Sequence, residues 1–185
     1  MEYILASSSP RRKELMKEIS SSFVIDVSHA DESVDDNIKP INAVKIIAKR
    51  KGEAVISRHP HDLVISADTI VDLNNEIIGK PIDMDDAKKM LKKLSGKAHL
   101  VHTAYCLFLE GRVFIDTVTS EVLFNNLSDE LINNYVESKS PLDKAGAYGV
   151  QDNEKFPLVK EIKGSVTNVI GFPVEDIKEA IEKFL

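Results

Sequence analysis

Two arginines directly after a serine run, Ser7-Ser8-Ser9-Pro10-Arg11-Arg12, form the strongest local chemical signal in the sequence. Ser9 suits the N-cap of a helix and Pro10 its first turn, where a missing N–H costs nothing. Main-chain N–H groups at such a terminus, the hydroxyls of Ser7 and Ser9, and two planar guanidinium forks all donate to an anion. The same residues also describe an ordinary capped helix with solvated arginines, so the segment needs company before it means phosphate. Lys51 supplies some. It falls four after Ile47, three after Ala48 and four before Val55, so on a helix it shares the apolar stripe. A lysine there either snorkels to the surface or meets an internal anion. Asp68 interrupts the most apolar β segment of the chain, where a carboxylate is costly unless paired, hydrogen-bonded or holding a cation. Lys80 follows Gly79 at a turn where glycine permits close approach of a ligand, and Glu32 lies in an acidic loop that alone says little. Together, Arg11, Arg12, Lys51 and Lys80 as anion binders, with Asp68 and Glu32 as hard oxygen ligands, make the inventory for a nucleoside triphosphate with a divalent metal. Magnesium keeps several waters and takes one or two carboxylates beside phosphate oxygens, so a short acid list suffices.

Other chemistries find no support. His99 and His102, three apart on a strand, point to opposite faces, and His59-Pro60-His61 lacks zinc-ligand spacing. There is no Gly-x-Ser-x-Gly elbow for a serine nucleophile. Cys106 is the single cysteine, set in an apolar stretch, and reads as a buried thiol. A net charge of −6 disfavours binding to polymeric nucleic acid, so any anion site must be a concentrated pocket. Apolar runs are too short for a membrane span and no basic leader precedes Tyr3, which together lead us to expect a cytoplasmic protein without membrane association.

The elements that must position these residues follow from periodicity and punctuation. At 185 residues, without a repeat or a Pro/Gly-rich linker, residues 1–185 read as one unit. Strands are expected at Tyr3 to Ala6, Phe23 to Val27 and Leu63 to Leu73, the last turning at Asn74-Asn75 into a return arm through Ile78. Helical spacing covers Ile41 to Ser57, and Asp83 caps a helix with Ala87, Met90, Leu91 and Leu94 on one face, ended by Gly96. Ala98 to Leu109 and Arg112 to Phe124, joined by Glu110-Gly111, form an antiparallel hairpin. Ser128 caps a helix to about Ser138, short strands are expected near Leu158 to Ile162 and Val166 to Ile170, and Val174 to Leu185 is an amphipathic helix. The class is mixed α/β.

The ordered set Ser7-x-Ser9-Pro10-Arg11-Arg12, Asp31-Glu32-Ser33, Lys51, Ala67-Asp68-Thr69-Ile70-Val71, Gly79-Lys80-Pro81, Leu94-Ser95-Gly96, Pro141 to Gln151 and Gly164-Ser165 resembles the Maf family of nucleotide pyrophosphatases. The likeness runs from about residue 3 to residue 174. It implies an elongated α/β fold with a mixed sheet, akin to the inosine triphosphate pyrophosphatases, with a central cleft between two lobes and a homodimeric assembly. It implies hydrolysis of a nucleoside triphosphate to the monophosphate and pyrophosphate with a divalent cation, Mg²⁺ or Mn²⁺. Asp68 then matches the proton acceptor, Lys51 and Lys80 the phosphate and catalytic cations, and Glu32 with Asp68 the metal region. Arg11, Thr69 and Gln151 match positions tied to base choice in the branch acting on dTTP and UTP. Gln151 offers a donor and an acceptor to the imide edge of thymine or uracil, and Thr69 would add a hydroxyl beside Asp68. The sister branch acting on 7-methyl-GTP, and a non-catalytic nucleotide-sensing regulator of cell division, are the competing readings. Two departures bear on the substrate. Asp152-Asn153-Glu154-Lys155 stands where the family has a glycine-rich stretch, and Val166 replaces a common tyrosine.

Overall fold

The structure, a computed structural model, describes all of residues 1–185. A seven-stranded mixed sheet organises it: β1 (Tyr3–Leu5), β2 (Val24–Ile25), β3 (Leu63–Leu73), β4 (Glu76–Ile78), β5 (Ala98–Leu109), β6 (Arg112–Phe124) and β7 (Val159–Lys163). Across the sheet the order is β2-β1-β3-β5-β6-β7, with β4 also paired to β3. β1 runs parallel to both β2 and β3, and every other pairing is antiparallel. The two expected hairpins form at residues able to take the left-handed region: Asn74 and Asn75 at φ 54° and 68°, Glu110 and Gly111 at 48° and 79°. Positive φ at both central positions gives the turn whose twist matches the flanking strands.

Alternation along β3 assigns its two faces. Even-numbered residues face α2 (Pro40–Ile56): Val64 and Ile70 join Ile4, Val44, Ile47, Ala48 and Phe108 in one core. Odd-numbered residues Leu63, Ile65 and Ala67 pack with Met16 of α1 (Pro10–Met16) and with Ile177 and Ile181 of α6 (Val174–Phe184). Farther along that same face, Val71 and Leu73 enter a third core with α3 (Met84–Leu94) and α4 (Asp129–Glu137). Apolar burial is thus divided between the two ends of the long strands. Gly52 lets α2 lie close on the sheet, since a Cβ there would sit 2.0 Å from the Phe108 ring.

The N-caps at Ser9, Asp83 and Ser128 all form, each side chain accepting from a main-chain N–H three residues on. Two strand expectations are corrected. The early strand is only Val24–Ile25, half exposed at the sheet edge. Val166–Ile170 is a helix, α5: the Ser165 hydroxyl caps its start, and Gly171, at φ 118°, ends it. Its β-branched residues favour a strand locally, but two caps and a tertiary anchor prevail. Fully buried Asn168 donates to the Val101 carbonyl and the Ser120 hydroxyl. No helix is long and apolar enough to cross a membrane.

Candidate active site

β3 is longer than its neighbours on one side. β1 pairs with residues 63–65 and β4 with residues 71–73, so residues 66–70 have a strand partner only on the β5 side. A cleft of about 370 Å³ opens at this interruption, lined by Asp68, Thr69 and Ile70 together with Arg11, Arg12, Lys51, Lys80 and Gln151. An adjoining cavity of about 270 Å³ continues over Ser7, Ser9, Arg12, Glu32, Lys51 and Lys80. The combined space is of the size that small-molecule sites occupy. Every residue singled out from the sequence lies on one or both cavities.

Lys51 sits at the centre of the acidic side. Its ammonium lies 2.7 Å from Asp68 Oδ1 and 3.1 Å from Glu32 Oε1, with its side chain only 12% exposed. The inward placement expected from helical spacing is therefore observed, and it resolves as an ion pair inside the cleft. Asp68 Oδ2 accepts no protein hydrogen bond and is free to engage a water or a cation. The carboxylates of Glu32 and Asp68 both meet the Lys51 ammonium, and they are the acidic groups of the cleft that could hold a divalent ion. No group of three or more His, Cys, Asp or Glu side chains is gathered in a way that could hold a metal ion.

On the opposite wall, Arg12 is fixed by three contacts. Its Nε donates to the Gly171 carbonyl at 2.9 Å, Nη1 to Ser7 Oγ at 3.3 Å and Nη2 to Thr69 Oγ1 at 3.1 Å. Burial lowers its pKa below the ordinary arginine value while the nearby Asp68 charge opposes that shift. Ser7 Oγ also accepts from the Ser9 main chain, so the serine turn is organised before any anion arrives. Thr69 corrects one expectation. Successive residues on a strand face opposite sides, and its hydroxyl meets Arg12 and Thr103 instead of lying beside the Asp68 carboxylate.

Arg11 reaches across to Asp143 at 2.8 Å, in the short helical turn Ser140–Asp143. The same carboxylate binds Lys144 at 2.8 Å. Burial pushes the Asp143 carboxyl up, but hydrogen bonds from Lys144 and Arg11 prevail and hold it below the usual carboxylate range. Lys80 is exposed at the cleft mouth, shared by both cavities, and Gln151 is exposed on the rim beside Gly149.

Asp143, Lys144 and Tyr148 line the cleft although the sequence reading gave them no role. They stand in short turns with no periodicity, and only the tertiary arrangement brings Asp143 to Arg11 of α1 and Tyr148 to His99 of β5. Their one signal was a place inside the Pro141 to Gln151 block. The altered stretch after Gln151 is well anchored: Asn153 exchanges two hydrogen bonds with the Val159 main chain, at 3.0 and 2.7 Å. Val166 is 49% exposed on α5 and does not line the cleft.

Comparison with known proteins agrees with this geometry. The family model described as "Maf-like protein" matches residues 2–184. A Bacillus velezensis protein named dTTP/UTP pyrophosphatase is 41% identical over 181 residues, 98% of this chain and 95% of that protein. Proteins of the same name from Clostridioides difficile and Pyrococcus furiosus are 40% and 42% identical, over 100% and 97% of this chain and 95% and 93% of theirs. Among solved structures, the Staphylococcus aureus Ham1 protein superposes with a TM-score of 0.59 at 13% identity, covering all of both chains. A HAM1 protein from Coxiella burnetii gives 0.51 at 14% identity, covering 99% of each. At that identity the likeness concerns the fold, which is the one expected.

Proposed function

The chain belongs to the Maf family, and on that premise we propose that it hydrolyses dTTP and UTP to the monophosphate and pyrophosphate. The observation that carries the reading is the convergence of Asp68, Glu32 and Lys51 at one point of a cleft that Arg12 and Lys80 also line. A binding module would need the cations; an acid with an open oxygen facing them is what hydrolysis adds.

The triphosphate lies along the serine turn and Arg12, with Lys80 at the mouth closing over its charge. Cations fixed before substrate enters stabilise the charge that develops as the α–β phosphoanhydride opens, without reorganising at that moment. Asp68 Oδ2 orients the attacking water and takes its proton, while Lys51 holds the other oxygen and so fixes the carboxylate's angle. Mg²⁺ or Mn²⁺ held by Glu32 and Asp68 would supply further charge neutralisation on the phosphate oxygens. At the rim, Gln151 presents its amide to the pyrimidine imide edge. A site that satisfies that edge penalises a base that leaves its polar groups unpaired.

The working form in this reading is a cytoplasmic homodimer, an assembly carried over from the family resemblance and measurable by light scattering. The activity is tested by a panel of canonical and modified nucleoside triphosphates, including 7-methyl-GTP, with pyrophosphate as readout. Release from dTTP and UTP at the highest kcat/KM supports the proposal. A preference for 7-methyl-GTP overturns the substrate assignment, and nucleotide binding without pyrophosphate under either metal overturns the enzyme.

A further inference from the structure

One phenol oxygen holds both ends of the turn that carries Gln151. The turn is Val150–Asp152. Tyr135, fully buried on α4, accepts a hydrogen bond from the Gly149 N–H at 3.0 Å and donates to Asp152 Oδ2 at 2.8 Å. Ser140 Oγ donates to the same carboxylate oxygen at 2.7 Å, and Lys144 donates in turn to Ser140 Oγ at 3.1 Å. Burial and the adjacent Asp152 carboxylate both push the Tyr135 phenol above its ordinary pKa, so it remains a donor. The Phe156 ring, its centroid 5.0 Å away, packs against the tyrosine ring.

Gly149 explains why the position of this turn matters. Its φ of −128° is open to any residue, so glycine is not required by the backbone. Space is what requires it: a Cβ there would lie 2.8 Å from Gln151 Nε2 and 2.7 Å from Lys144 Cε. The Gln151 amide is therefore folded directly over Gly149, and the main chain that Tyr135 grips is the surface on which that amide rests.

We propose that Tyr135 is a positioning residue for base selection, acting through Gly149 and Asp152 to aim Gln151. The inference rests on the reading of Gln151 as the group that meets the base. Asp152, which departs from the family's glycine-rich pattern, becomes the second point of attachment of the rim.

The test compares Tyr135→Phe, Gln151→Ala and the double variant on dTTP, UTP, dCTP and dGTP, measuring kcat and KM separately with thermal melting alongside. Losing one well-placed polar contact corresponds to about a tenfold change. Tyr135→Phe is expected to raise KM for dTTP about tenfold and to lower discrimination against dCTP by a similar factor, with kcat within about threefold. In the double variant, discrimination should fall no further than in Gln151→Ala alone, because both substitutions break one device. A merely structural role for Tyr135 would lower the melting temperature and leave discrimination unchanged, and that result overturns the proposal. If Gln151→Ala itself leaves base preference intact, the reading of Gln151 fails first. If Gln151→Ala removes preference and Tyr135→Phe does not, only the positioning role fails. Should Tyr135→Phe not fold, Asp152→Ala breaks the half-buried end of the same grip, and unchanged base preference in that variant overturns the proposal equally.

Discussion

Asp68 and Asp72 lie four residues apart on β3, on the same face, 8% and 7% exposed, and each is paired with a basic side chain. Their surroundings differ in one respect. Asp72 is used up: Oδ2 is hydrogen-bonded to His102 Nε2 at 3.1 Å, and Oδ1 accepts the Asn75 N–H at 2.7 Å, closing the β3–β4 turn. His102 is held in turn by Thr119. Asp68 keeps an oxygen free, faces a cleft, and shares its lysine with a second acid. Burial and pairing alone therefore do not mark a chemical group. Incomplete satisfaction at the edge of a cavity does, because a carboxylate already fully engaged has nothing left to offer a substrate.

The sharpest way to break this contrast is Asp68→Asn. Losing the proton acceptor should lower kcat by about 10²–10⁴ while nucleotide binding persists, read by pyrophosphate release and by equilibrium titration with dTTP. Near-normal turnover would remove Asp68 from the mechanism. Next comes Lys51→Met, which leaves two acids facing each other without their cation. A loss of about 10²–10³ in kcat/KM is expected, comparable with removing one preorganised charge donor, and steady-state kinetics measures it.

On the structural side of the contrast, burial holds the His99 pKa down from 6.5 to about 4, so the folded protein keeps this imidazole neutral. Between those values the unfolded chain binds the extra proton. The stability that His99 confers is complete above pH 6.5, declines as pH falls and is lost by about pH 4, a change of about 3 kcal/mol. Urea midpoints across that window should show the slope, and His99→Gln should flatten it. The smallest effect is expected of Asp72→Asn: about 1–3 kcal/mol in a urea melt from the weakened turn and His102 contact, with kcat within about threefold. Asp72→Asn matching Asp68→Asn in activity would erase the distinction between the two acids.

Legibility in the sequence followed the range of the interaction that decides each feature. Hairpins at Asn74-Asn75 and Glu110-Gly111 and the caps at Ser9, Asp83 and Ser128 are set by neighbours within four residues, and all were readable. Lys51 and Asp68 announced themselves because a charge in an apolar pattern breaks a local rule. Val166–Ile170 misled because its β-branched side chains speak for a strand, while the Asn168 anchor reaches it from β5 and β6. Tyr135 was invisible as a positioning group. A tyrosine on the apolar face of α4 reads as core, and its hydroxyl gains meaning only when a turn more than ten residues away folds onto it.

The missing strand partner beside residues 66–70 bears on solubility as well as on hydrolysis. An unprotected sheet margin invites foreign chains to add on and seed aggregates. Here the vacant stretch is only five residues long and is stoppered at either end by β1 and β4, so an intruding polypeptide has no room to align while a compact, flat molecule does. The fold thus turns a hazard of β architecture into a doorway sized for small guests.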